Sequence, residues 1–155
     1  MLQKFMIVAA ATLTLAAAAA ADQGGTADEA RAMLDKAVAA VKADKTKALE
    51  TFNKGQGGFL DRDLYVFCAE ADGGKIVANG NPNAKKLLGT DLRKLKDSNG
   101  KPYGEEIFTA GQKPEGQISE ISGYLFPRPS NPKPASKNSF VTKVGDLFCG
   151  VGYYK

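Results

Sequence analysis

Few side chains in this sequence can do covalent or metal chemistry, and those few lie far apart. The two cysteines are Cys68, in Leu64-Tyr65-Val66-Phe67-Cys68, and Cys149, in Leu147-Phe148-Cys149-Gly150-Val151-Gly152-Tyr153-Tyr154. Both runs have strand-like composition, and in an exported chain two such cysteines are expected to pair. The alternative is two buried free thiols. There is no histidine, which excludes Ser-His-Asp and Cys-His nucleophilic sites, imidazole metal cages and Cys-x-x-Cys-His haem attachment. Carboxylates remain. Asp61 and Asp63 form a close acidic pair, but that spacing beside a strand is commonplace and does not define an acid and a base. Asp97-Ser98-Asn99-Gly100 resembles the start of a calcium loop; Lys101 stands where an oxygen ligand is wanted and no glutamate closes the loop, so it reads as a turn. The sequence therefore points to binding, with no catalytic residue, no metal and no cofactor expected.

The compartment follows from the first residues. Met1 to Lys4 is a short cationic start, Phe5 to Leu15 an apolar run, and Ala16 to Ala21 a stretch of small residues. This is the pattern of a signal peptide over residues 1–21, with cleavage before Asp22. A retained membrane helix is the competing reading, disfavoured because a span needs about 20 apolar residues. No cysteine near the cleavage point offers a lipid attachment site. The expectation is a periplasmic or secreted protein, soluble after cleavage, with residues 22–155 as a single domain. Without Lys4 the chain holds 20 basic and 17 acidic residues, a balance too mild to imply nucleic acid as a partner.

The elements that must position these residues begin at Thr26-Ala27-Asp28-Glu29, which has the spacing of a capping box. Ala30, Leu34, Ala37, Val41, Ala48 and Phe52 then recur at threes and fours. Asn53-Lys54-Gly55 ends the pattern, which predicts one amphipathic helix of about 27 residues, about 40 Å long. It is read as a lid on its own sheet rather than a dimer seam, so a monomer or weak dimer is expected. Leu64–Glu70 and Lys75–Gly80 flank Ala71-Asp72-Gly73-Gly74, a hairpin. Residues 81–116 read as short helices and loops. Ile118–Phe126, Asn138–Val144 and Leu147–Tyr154 read as three more strands, the last two joined at Gly145-Asp146. Between Phe126 and Asn138 four prolines predict a stiff loop over the sheet edge. The plan is α+β: a long N-terminal helix on an antiparallel sheet.

Alternation tells which residues share a face. Leu64, Val66 and Cys68 point one way and Tyr65 and Phe67 the other; Cys149 and Val151 oppose Phe148, Gly150, Gly152 and Tyr154. A disulfide puts the first strand beside the last and gathers Tyr65, Phe67, Phe148 and Tyr154 on one face around two glycines. Such an arrangement offers a ligand cavity; equally, the glycines let a helix approach or mark a bulge.

Four segments carry a family resemblance: Asp63-Leu64-Tyr65-Val66-Phe67, Tyr124-Leu125-Phe126-Pro127-Arg128-Pro129, Lys137-Asn138-Ser139-Phe140-Val141 and Gly150-Val151-Gly152-Tyr153-Tyr154. In order and spacing the chain resembles extracytoplasmic single Cache-domain sensors with a PAS-like fold. The resemblance implies a five-stranded antiparallel sheet with the first and last strands adjacent, and a pocket between the sheet and the irregular middle segment. It implies small organic ligands, often short carboxylates. Phe126 and Arg128 stand where the family pattern has Trp and Lys, and Ala78-Asn79 is followed by Gly80 and Asn81 before Pro82, so a reshaped pocket is expected. Relatives are commonly parts of chemoreceptors or kinases, whereas no membrane helix or signalling domain follows here.

The ligand-binding candidates within those segments are Tyr65, Phe67, Asn79, Tyr124, Phe126, Arg128 and Lys137. A carboxylate leaving water needs a cation or several donors, which makes Lys137 the first choice and Arg128 the second, unless both are solvated surface charges. The function expected is a periplasmic module that binds or senses a small molecule, presented to a membrane-protein partner. The alternative is a structural or protein-interaction domain that keeps the fold without a ligand.

Overall fold

The computed structural model describes residues 24–155; the signal-peptide reading falls outside them. Thr26 caps the first helix as its spacing predicts. Its Oγ1 accepts from the Glu29 amide at 3.2 Å, and the Glu29 carboxylate accepts from the Thr26 amide at 2.8 Å. The helical stretch is two helices rather than one: α1 (Ala27–Ala43) and α2 (Lys45–Lys54). Asp44 separates them. Its extended backbone (φ −159°, ψ 98°) ends α1, and its carboxylate accepts from the Lys47 amide at 3.0 Å. One aspartate thus closes a helix and caps the next, which the apolar spacing across residues 30–52 conceals. Gly55 then stops α2 in the left-handed conformation (φ 62°), where a residue without Cβ meets no steric cost.

The chain continues as β1 (Leu60–Asp61), β2 (Leu64–Glu70) and β3 (Ile76–Asn79), followed by two 3-10 turns at Pro82–Leu87 and Leu92–Lys94 and a short helix α3 (Tyr103–Gly111). Three long strands complete it: β4 (Ile118–Arg128), β5 (Asn131–Val144) and β6 (Leu147–Tyr154). The sheet is antiparallel with six strands in the order β1-β2-β6-β5-β4, and β3 also pairs with β2. The α+β plan with first and last strands adjacent is therefore observed, with β1 as an additional two-residue strand.

The proline-rich segment departs from expectation. It is not a loop: β4 and β5 continue through it as a hairpin, with Pro127 opposite Pro134 and only Pro129 and Ser130 outside the strands. Facing prolines fit a non-hydrogen-bonded pair, where neither amide is needed. Pro127 is on the sheet's edge strand, and Pro132 and Pro134 lie on the part of β5 that extends beyond β6, whose pairing begins at Lys137.

Cys68 and Cys149 are direct partners in the β2–β6 ladder and form a disulfide, with Cα atoms 4.1 Å apart. The sheet's two faces divide as alternation predicts. One face carries Leu64, Val66, Cys68, Cys149 and Val151 beneath α1 and α2, whose Leu34, Ala37, Val41 and Phe52 are buried against it. The helices cover their own sheet. The other face carries Tyr65, Phe67, Phe148 and Tyr154 beneath the middle segment, whose Leu92, Tyr103 and Ile107 close over them.

Candidate functional site

Between the second face and the middle segment lies a cavity of about 30 Å3. Its sheet wall is built from Tyr65 and Phe67 of β2, Asn79 of β3, Tyr124 and Phe126 of β4, and Lys137 of β5. Six of the seven ligand-binding candidates thus converge on one space; Arg128 does not line it. The opposite wall is formed by Leu87, Leu92, Leu95, Tyr103 and Ile107. The sequence does not single these residues out for a site, although Tyr103 and Ile107 sit four apart on a short amphipathic stretch. Tyr103 stacks on Tyr124 with ring centroids 4.7 Å apart and planes 9° from parallel, joining lid to sheet.

Register explains why a lysine is here. Lys137 opposes Tyr124 on β4 and Tyr154 on β6, and alternation along β5 puts Lys137, Ser139 and Val141 on the cavity face. Lys137 is 2 % exposed. Its Nζ donates to the Tyr65 hydroxyl at 2.6 Å. Tyr65 in turn lies 3.4 Å from the Tyr154 hydroxyl, which donates to the Pro127 carbonyl at 2.7 Å. Five aromatic rings surround the ammonium, that of Tyr65 nearest at 4.1 Å to its centroid and those of Phe126 and Tyr154 at 5.0 and 5.4 Å. Ring faces attract a cation, but an ammonium has three donors and the only hydrogen bond it makes among the described residues is to Tyr65.

Electrostatics follow from this enclosure. Burial pushes the Lys137 ammonium down from 10.5 to about 7, opposed by the field of Asp63. Burial likewise drives the Tyr65 and Tyr124 phenols well above their ordinary value of 10.0, so both stay protonated. Asp63 does not pair with Lys137: its buried carboxylate accepts from Arg128 Nη1 at 2.7 Å and from the Gly25 amide at 2.6 Å. Arg128 also lies over the Tyr154 ring, 4.8 Å from its centroid. It is neither a solvated surface cation nor a cavity group; its charge is held by Asp63 and the Tyr154 ring. Asn79 is buried, with its side-chain oxygen accepting from the Asn81 amide at 3.0 Å, and Tyr124 shares a 2.6 Å hydrogen bond with Ser139.

The two glycines have a different purpose from either sequence reading. A Cβ on Gly150 would lie 2.3 Å from the Phe67 ring, and one on Gly152 would lie 2.1 Å from Lys137 Cε. The missing side chains make room for the phenylalanine and the lysine stem, not for a ligand or a helix. Asp97, at the start of the would-be calcium loop, gives its oxygens to the amides of Asn99, Lys101 and Leu125, fastening the turn to β4.

A helical layer on one face of an antiparallel sheet, and a lid over a lysine-bearing aromatic cavity on the other, make a PAS-like α+β fold. Residues 3–154 match the family model of single Cache domain 2, and the chain belongs to that family. The fold is similar to a methyl-accepting chemotaxis protein of Vibrio parahaemolyticus, at 23% identity and TM-score 0.64 over 82% of this chain and 86% of that one. It is also similar to a periplasmic sensor domain of a chemotaxis protein (22%, TM-score 0.60, 82% and 88%). A third similar structure, described as the basis for carboxylic acid recognition by a Cache chemosensory domain, shares 17% identity and a TM-score of 0.64 over 82% and 91%. No curated protein matches the chain. Among the described residues no helix is long and apolar enough to cross a membrane.

Proposed function

We propose that the protein is a periplasmic small-molecule binding module, exported behind a leader at residues 1–21, with residues 22–155 binding a short organic acid through Lys137. The observation that carries this reading is a buried ammonium facing a cavity with a single hydrogen-bond acceptor and no ion-pair partner among the described residues. A carboxylate supplies both the charge and the acceptors that Nζ lacks. Tyr65 and Tyr124 add hydroxyl contacts, Asn79 an amide, and Phe67 and Phe126 an apolar wall for a short alkyl chain. Arg128 acts from outside by holding Asp63. Delivery of the bound acid to a membrane-protein partner is part of the same proposal.

The cavity volume of about 30 Å3 has room for about one or two water molecules, so even a short acid requires the lid side chains to move outward. That same smallness favours a second reading, a protein-interaction domain without a ligand. Calorimetry and thermal shift with short-chain carboxylates separate the two. Binding by the wild type that is lost in Lys137→Met and kept in Arg128→Met is expected. Equal binding by wild type and Lys137→Met refutes the role given to Lys137, and failure of every short carboxylate to bind moves the interaction-domain reading forward.

A further inference from the structure

Lys137 is placed for covalent as well as ionic chemistry. We propose that its amine forms a reversible imine with small aldehydes or ketones admitted to the cavity, so that the site also captures carbonyl compounds. This rests on the cavity admitting a small molecule and not on that molecule being an acid.

Three observations converge on the inference. The first is the amine's setting: Nζ faces the cavity without an ion pair among the described residues. Facing it are the phenols of Tyr65 from β2, Tyr124 from β4 and Tyr154 from β6, and the one carboxylate whose field reaches it, Asp63, is committed to Arg128 and Gly25. No salt bridge therefore opposes loss of the proton, and burial favours it. A desolvated lysine in an apolar pocket is an activated nucleophile. The second observation is the Tyr65 hydroxyl, 2.6 Å from Nζ and held protonated by its own burial. It is within reach of any oxygen that departs from a carbon bonded to Nζ.

The third is a neighbouring cleft. A cleft of about 360 Å3 lies outside the cavity, and Leu87, Leu95, Tyr103 and Phe126 line both spaces. These shared side chains lie between the two spaces, and Leu87 and Leu95 are only half-buried.

The step balances without any further reactant. The neutral amine adds to the carbonyl carbon, and its displaced proton passes to the carbonyl oxygen, giving a carbinolamine. The carbon–oxygen bond then breaks, the oxygen leaves as water with a proton relayed through Tyr65, and a carbon–nitrogen double bond remains. Amine and carbonyl become imine and water.

The test is to treat the purified protein with acetaldehyde and sodium cyanoborohydride at pH 7 and map the N-ethylated lysines by peptide mass spectrometry. An ordinary lysine is neutral in roughly one molecule in 3,000 at pH 7, whereas Lys137, lowered to about 7, is neutral in about half. Labelling of Lys137 on the order of 100-fold faster than any exposed lysine is expected, with slower labelling in Tyr65→Phe. An unlabelled Lys137, or one labelled no faster than the exposed lysines, overturns the inference. If acetate or propionate still binds in calorimetry, the acid-binding reading survives that failure; if neither reagent reaches the site, both fall together.

Discussion

Replacing Lys137 by methionine tests the central electrostatic claim without any ligand. In the unfolded chain this lysine keeps its proton up to about 10.5, while in the fold it releases it near 7. Between those values the unfolded state binds more protons, so stability rises with pH and the cost of burying the charge is felt in full below pH 7. Integrating from pH 6 to 9 gives about 2.5 kcal/mol of added stability for the wild type, and at about 3 °C per kcal/mol a rise in Tm of about 8 °C. The window is unusually clean, because the chain has no histidine and both cysteines are bridged. Urea unfolding of wild type and Lys137→Met at pH 6, 7, 8 and 9 reads the difference directly. The variant is expected to lose most of the slope over this range and to be more stable than wild type at pH 6. Burial also pushes the Lys85 ammonium down, so Lys85→Met measures the share of the slope that this second lysine contributes. A wild type with no slope, or a Lys137→Met variant with the same slope, refutes the claim that a desolvated amine sits in this cavity.

A carboxylate that pairs with Lys137 must restore its charge, so above pH 7 binding should take up a proton and weaken by up to about tenfold per pH unit. Calorimetry in buffers of different ionisation enthalpy measures that uptake. The Cys68–Cys149 bond spans 81 residues of separation, and its loss in Cys68→Ser/Cys149→Ser should cost about 4.5 kcal/mol in the chain-entropy model, read by denaturant midpoint with and without reductant. Gly152→Ala puts a Cβ 2.1 Å from Lys137 Cε; it should destabilise by about 1–3 kcal/mol and abolish the pH slope assigned to Lys137. An unchanged slope would show that the lysine reaches its site by another path.

Much of this architecture is legible because strand alternation is a strict period. Once Cys68 and Cys149 are set opposite each other, the aromatic and aliphatic faces follow without further information. The place of Lys137 is also written in the register of the last hairpin. A two-residue turn at Gly145-Asp146 sets Val144 opposite Leu147, and counting outward sets Lys137 opposite Tyr154, as observed. Arg128 cannot be placed in the same way, because its neighbour Pro127 makes the segment read as a loop, and its partner Asp63 lies 65 residues away. The helix break at Asp44 is hidden because a single capping residue barely disturbs the apolar spacing on either side. The lid residues Leu92 and Leu95 belong to a short turn, and Tyr103 opens a helix of only nine residues, so their facing is decided by tertiary contact more than by any period.

The strand that lies between β2 and β5, joining the two halves of the sheet, is β6, formed by residues 147–154. Until those residues have emerged, β2 lacks its partner, Cys68 lacks Cys149, and Lys137 has no Tyr154 beside it. Local hairpins form early in such a chain, but the contacts that join them are of long sequence range and must wait. Removal of these eight residues would therefore open the sheet, the disulfide and the cavity together.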